Sequence, residues 1–194
     1  ERKLMKAFRN SYPAYLFLYS FYFMSTALFT TLISVYLIGQ QYSASQVSNL
    51  VSTAFFLSML TQPLFGYINE RFGIVKITTL SLGVLMAGVG GFIWAPNFFW
   101  LTIFYGLVLL CLNGTAPMME ILATQSPYAF GKIRVWGTLG YAAGAHLAGW
   151  LYAHLSPQSV YYCVLVTILL SFFTLGAIRI DKTNRVQKEA VSIR

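Results

Sequence analysis

Charge is what this chain has least of. Only 9% of its 194 residues are Asp, Glu, Lys or Arg, against about a quarter in a soluble domain. A water-facing surface cannot be built from so few, so lipid must cover most of the exterior. Carboxylates are scarcer still, with five in all. Just one of them, Glu120, lies within an apolar run; the others sit near the ends (Glu1, Asp181, Glu189) or beside a base at Glu70. There is no carboxylate cluster, no Gly-x-Ser-x-Gly turn and no group of residues with metal-ligand spacing. An intramembrane hydrolase or a metalloenzyme therefore has nothing to work with, and no cofactor is implied. Cysteine is nearly absent as well. Cys111 and Cys163 each lie inside an apolar run, where they read as small packing residues rather than as a disulfide framework.

What the chain has instead is apolar length. Hydrophobic residues make up 57% and aromatic residues 17%, and the mean hydropathy is +0.65. Six runs, at about 13–38, 45–68, 77–94, 98–122, 133–154 and 159–178, approach or exceed the ~20 residues that cross hydrocarbon as a helix. The first is too long for the ~7–15 residue core of a signal peptide. Turn-forming or charged residues divide them: 39–43, 69–73, Ala95-Pro96-Asn97, Gln125-Ser126-Pro127 and Ser156-Pro157-Gln158. Helices are required because backbone groups in lipid must pair within their own segment, and the short alternating segments of a β-barrel are missing. The fold class is thus an all-α membrane protein of six transmembrane helices.

The net charge of +8 is not the mark of a nucleic-acid partner, because the bases fall in short clusters between the apolar runs. Arg2, Lys3, Lys6 and Arg9 precede the first run, and Arg71 and Lys76 separate the second from the third. Lys132 and Arg134 open the fifth, and Arg179, Lys182, Arg185, Lys188 and Arg194 follow the sixth. The alternate connections hold no Lys or Arg. Segregation of this kind marks the cytoplasmic side and puts both termini there. Residues 1–180 are expected to form the six-helix domain, and 181–194 to begin a cytoplasmic linker or tail. Two stripes of small residues, Gly83-Ala87-Gly91 and Gly140-Gly144-Ala148, are spaced to let helix backbones approach closely.

Two ionisable groups stand inside the apolar runs. A central membrane charge costs on the order of 2.5–3.5 kcal/mol on insertion scales, so Glu120 and Arg134 each need a polar partner or a watery cavity. They are equidistant from Pro127 in the connecting turn, which puts them at similar depth in an antiparallel hairpin. The physics leaves two readings open: a structural ion pair with Arg134 snorkelling to the interface, or a substrate site lined by the pair.

A resemblance weighs on that choice. Gly66, Glu70, Arg71 and Gly73, followed by Lys76, are similar to the loop signature of the major facilitator superfamily, with Ile74 and Val75 where bases are common. The stretches Thr61-Gln62-Pro63-Leu64-Phe65-Gly66, Asn113-Gly114-Thr115-Ala116-Pro117-Met118-Met119-Glu120 and Phe130-Gly131-Lys132-Ile133-Arg134-Val135-Trp136-Gly137 resemble the second, fourth and fifth helices of its lactose-permease type, the oligosaccharide:proton symporter branch. The resemblance runs from about residue 8 to 181. It implies that the six helices form one half, a 3+3 repeat, of a secondary active transporter working by alternating access. The cargo would be a sugar, an oligosaccharide or a similar small polar solute, with protons as the coupling ion. Glu120 and Arg134 inherit the role of substrate ligands, and Tyr141, Thr138 and Ala116 that of cavity lining. On the first helix Tyr22, Ser25 and Phe29, at i, i+3 and i+7, align with site-lining positions. The implied partners are the substrate, protons, lipid and a second six-helix half, from the same full-length chain or a second copy. The implied location is a bacterial cytoplasmic membrane. The alternatives are a nucleoside or aromatic-acid transporter, or a non-transporting subunit or channel.

Overall fold

A computed structural model of the protein describes residues 10–178, and their regular structure is entirely helical. The segments are α1 (Tyr12–Thr31), α2 (Ile33–Gly39), α3 (Ala44–Phe72), α4 (Ile74–Ile93), α5 (Phe98–Thr124), α6 (Phe130–His154) and α7 (Ser159–Gly176). They make six rods, because α1 and α2 are one span interrupted at Leu32 (φ −110°, ψ 11°). The expected basic N-terminal cluster, the last five bases and the tail at 181–194 lie outside the described residues.

Local chemistry explains the helix ends. Pro13 occupies the first turn of α1, where its missing N–H costs nothing. Ser43 and Gln46 form a reciprocal capping box at the start of α3, and the Asn97 side chain accepts from Trp100 N–H to cap α5. The charged divider expected at 69–73 is shorter than the hydropathy pattern suggested. Glu70 and Arg71 continue the helix to Phe72, and Gly73 alone joins α3 to α4. Its φ of +91° is one that L side chains rarely adopt and glycine adopts freely. Hydropathy marks where the apolar run stops; a helix extends on into the polar interface as long as its backbone bonds propagate.

Five of the six rods are long and apolar enough to cross a membrane. The sixth, α6, has the length, at 25 residues, but carries Lys132, Arg134, His146 and His154 and has no stretch as apolar as those of the other five.

The rods associate in a pattern that repeats. α1 packs chiefly on α6 and α7, α5 packs chiefly on α3 and α4, and α4 meets α7 between the two groups. Exchanging the first three spans for the last three sends α1 to α5, α3 to α6 and α4 to α7, and the pattern returns to itself. This is the 3+3 arrangement. At its centre α1, α4, α5 and α7 contribute Phe29, Phe92, Tyr105 and Tyr161, whose rings stack edge or face with centroids 4.9–5.8 Å apart for the Phe29–Tyr161, Phe29–Tyr105 and Phe92–Tyr161 pairs.

The stripe Gly140-Gly144-Ala148 is the seam of the α1–α6 pair. A Cβ on Gly144 would lie 2.6 Å from the Met24 carbonyl oxygen, and one on Gly140 would run into the backbone of Ser20. The other stripe divides: Gly91 faces the Phe104 ring, whereas Gly83 faces open space, and the close approach of α4 to α5 is made at Gly88 against Val108. Asn10 N–H donates to the Ala177 carbonyl at 3.1 Å, and the Tyr128 hydroxyl donates to the Asn10 carbonyl at 3.4 Å. Both ends of the described chain and the α5–α6 turn therefore gather at one end of the bundle.

Candidate functional site

The α5–α6 hairpin brings the two membrane charges together. α5 stops at Thr124 and α6 starts at Phe130, so Glu120 and Arg134 each lie four residues inside their helix, about 6 Å from its end. Arg134 Nη1 meets Glu120 Oε1 at 2.9 Å. The turn is held by Ser126, whose hydroxyl donates to the Ala123 carbonyl at 2.7 Å and accepts from Tyr128 N–H at 3.3 Å. Tyr128 then packs edge-on against Tyr12, with centroids 5.3 Å apart. The Trp136 indole donates to the Tyr12 hydroxyl at 2.9 Å. These contacts fix α6 against the start of α1 and so fix where Arg134 emerges.

The side chains of Glu120 and Arg134 remain 35% and 45% exposed. Hydrocarbon is an unfavourable surrounding for a half-exposed ion pair, so the face that carries it requires water or protein. One contact does not exhaust either group. A carboxylate has two acceptor oxygens and a guanidinium five N–H donors, which together match the hydroxyls of a polyol. Thr138 and Tyr141 are exposed on the same side of α6 as Arg134, one and two turns on. Tyr141 is 43% exposed. Ala116, one turn before Glu120, is half-buried.

The first span presents a different face from the one expected. Tyr22, Ser25 and Phe29 are fully buried. The Tyr22 hydroxyl donates to the Leu112 carbonyl of α5, Ser25 donates to the Tyr22 carbonyl, and Phe29 belongs to the aromatic core. The residues of α1 that reach the pair are Phe23 and Tyr19. The Arg134 guanidinium carbon lies 5.1 Å from the Phe23 ring centroid, a cation–π contact. The Tyr19 ring packs on Phe23 at 5.3 Å, and its hydroxyl is beside Glu120 and within electrostatic reach of Arg134. Phe23, one residue on from the buried Tyr22, is the ring that lies against Arg134. One residue turns a helix by about 100°, and α1 is apolar all round, so no polar stripe marked the correct face. The signal that could have found Phe23 and Tyr19 is the glycine at 137. A Cβ there would lie 2.8 Å from Tyr19 Cδ1 and 2.9 Å from Phe23 Cδ2, so Gly137 is the notch that admits both rings.

The loop-motif residues gather elsewhere. Gly66, Glu70, Arg71 and Gly73 line a cleft of 640 Å³ with Lys76, Ile121 and Gln125, on the flank of α5 next to Glu120. Arg71 lies over the Phe72 ring at 5.6 Å rather than against Glu70; among the described residues the ion pair is Glu120–Arg134 alone. Gly66 makes no close helix contact, since nothing lies within 4 Å of where its Cβ would be. The reason is that the surrounding part of α3, from Phe55 to Tyr67, turns most of its large side chains outward.

Known proteins resemble this chain in sequence. The chain is 28% identical over 171 residues to the sucrose permease of Escherichia coli, a match covering 81% of this chain and 41% of that protein. It is 27% identical over 166 residues to the maltose permease of Geobacillus stearothermophilus, covering 79% of this chain and 40% of that protein. The chain thus spans about two-fifths of the length of these relatives. A family model matches residues 15–192, taking in all six rods with their 3+3 packing and both charges of the pair, and the protein belongs to the Major Facilitator Superfamily of transporters.

Proposed function

We propose that this chain is the N-terminal half of a proton-coupled symporter for a sugar, an oligosaccharide or a similar small polar solute. The Glu120–Arg134 pair is its principal substrate contact. The observation that carries this reading is the 2.9 Å pair left partly exposed on one face of an otherwise apolar bundle. The names of the sucrose and maltose permeases point to the same chemistry, since sugar hydroxyls bond to a carboxylate and a guanidinium at once. Tyr141 supplies an aromatic face and a hydroxyl farther along α6, with Thr138 and Ala116 lining the space between. α3 and α6, which the 3+3 exchange relates, carry the broadest unpartnered surfaces, and these suit a second six-helix half. That half, from the full-length chain or a second copy, closes the cavity so that the halves rock around substrate held between them. Proton coupling is part of the proposal through the relatives alone. The basic end of the bundle and both termini face the cytoplasm of a bacterial cell, in accord with the Lys and Arg segregation.

Binding of sucrose and of maltose to the full-length transporter, measured together with its Tm, tests the site. Glu120→Gln keeps the shape of the side chain but loses the charged acceptor. Arg134→Lys keeps the charge but loses the planar fork. Each should cost at least tenfold in affinity while the protein stays folded. Lowered Tm with unchanged affinity in both variants would make the pair structural and defeat the assignment.

A further inference from the structure

The Tyr19 hydroxyl is an unexplained group. The residue is 1% exposed, yet its hydroxyl makes no hydrogen bond of ordinary length and angle, the Glu120 carboxylate lying close to it without meeting that geometry. Buried hydroxyls are almost always partnered, and Tyr22, one turn along the same helix, shows the usual case with its bond to the Leu112 carbonyl. Tyr19 is also held firmly. It packs against Phe23 at 5.3 Å and fits into the notch left by Gly137, so it cannot turn away to find a partner elsewhere. The charged groups it faces are the Glu120 carboxylate and, more weakly, the Arg134 guanidinium. With Arg134 on Glu120 Oε1 at 2.9 Å, the carboxylate already has a strong donor.

We propose that Tyr19 is a positioning and specificity residue of this site, a standby donor whose hydroxyl takes the Glu120 carboxylate when Arg134 turns to a ligand. The inference rests on the reading of the pair as a substrate site. When a polyol inserts, the guanidinium must give up part of its contact with Glu120 to reach ligand oxygens. A carboxylate stripped of a donor in a low-dielectric site is costly. Tyr19 replaces that donor from a direction the ligand does not occupy, and it leaves the outward-facing carboxylate oxygen for the ligand. The exchange favours ligands that offer a donor hydroxyl to that oxygen and acceptor oxygens to Arg134, which is the pattern of a vicinal diol.

Infrared spectroscopy of the full-length transporter tests the exchange without needing a ligand. The Glu120 band is isolated by subtracting the spectrum of Glu120→Gln. Tyr19→Phe should leave this band nearly unchanged while Arg134 is present. It should shift the band clearly in an Arg134→Leu background, where Tyr19 becomes the remaining donor. A merely structural tyrosine would not show this dependence on residue 134, and an unmoved band in Arg134→Leu overturns the proposal. Calorimetry with sucrose and maltose on Tyr19→Phe alone, which keeps the ring, provides the second arm. Affinity should fall roughly tenfold, the usual size of a lost bond to a charged group, with Tm preserved. Unchanged affinity with a lowered Tm overturns the specificity role. If neither sugar binds the unmodified transporter, the sugar reading fails on its own, and the infrared arm still decides whether Tyr19 backs Glu120.

Discussion

Adding a single methyl group to the α1–α6 seam should be among the most damaging small changes available to this bundle. At Gly140 the new Cβ would run into the Ser20 backbone, and at Gly144 it would lie 2.6 Å from Met24 O and 3.0 Å from Met24 Cα. Ordinary carbon–oxygen contacts begin above 3 Å. Backbone atoms inside a helix cannot rotate aside as a side chain does, so the whole of α6 must move by several tenths of an ångström. Overpacking of this kind costs about 1–3 kcal/mol. At roughly 2–4 °C per kcal/mol for a domain of this size, Gly140→Ala or Gly144→Ala should lower Tm by several degrees. Gly149→Ala on the same helix is the control, because nothing lies within 4 Å of its new Cβ; it removes backbone freedom from the unfolded chain and should be neutral or slightly stabilising. Thermal unfolding of the three variants in one detergent, followed by tryptophan fluorescence, is the assay. Equal Tm values for Gly140→Ala and Gly149→Ala would refute the claim that backbone contact at the seam sets the position of α6.

Gly137→Ala should behave differently, because its new Cβ meets the Tyr19 and Phe23 rings rather than backbone; ligand affinity should fall more than Tm does, as calorimetry beside a melting curve would show. Tyr22→Phe removes the donor to the Leu112 carbonyl and should cost about 0.5–1.5 kcal/mol of stability while leaving ligand affinity intact, which separates it from Tyr19→Phe. Asn113→Leu removes the donor to the Ser58 hydroxyl, which accepts from Asn113 Nδ2 at 2.9 Å between α3 and α5 and keeps its own bond to the Phe55 carbonyl; a loss of about 0.5–1.5 kcal/mol should appear in Tm. Cysteines placed at Gln41 and Gln158 should label from outside the cell with a membrane-impermeant maleimide, and labelling of both from the cytoplasmic face alone would reverse the proposed orientation.

How much was legible depended on whether a residue's role is local. Span number followed from the length of apolar runs. The meeting of Glu120 and Arg134 followed from their symmetric spacing about a tight turn, which leaves an antiparallel hairpin little choice. The seam glycines 140 and 144 were legible because small residues at helical spacing do one thing in lipid. The facing of α1 was not legible, since a helix apolar on every side has no amphipathic signature, and only contact with Gly137 tells Phe23 from Tyr22. Nor was the second stripe resolved: Gly83 and Gly91 share a periodicity, but α5 approaches at Gly91 and at Gly88, outside the stripe, and leaves Gly83 facing open space. Periodicity names a face, and tertiary packing decides whether a partner comes to it.

The 3+3 exchange sharpens the meaning of the site. It maps α5 onto α1 and α6 onto α3 and leaves the packing scheme unchanged, so the scaffold alone offers two related places for a ligand group. The chemistry occupies one of them. Glu120 and Arg134 both come from the second repeat, while the first repeat supplies the rings of Phe23 and Tyr19 and no charge within its apolar runs. A second pair of charges on α1 and α3 would add a further desolvation cost of a few kcal/mol per group and would hold a polar ligand equally on both sides. With charges from one repeat and aromatic faces from the other, a ring with a polar edge and an apolar face has a single favourable orientation. If the pair binds substrate as proposed, the asymmetry of the site, set on a symmetric frame, is what would give this half a direction in which to hold it.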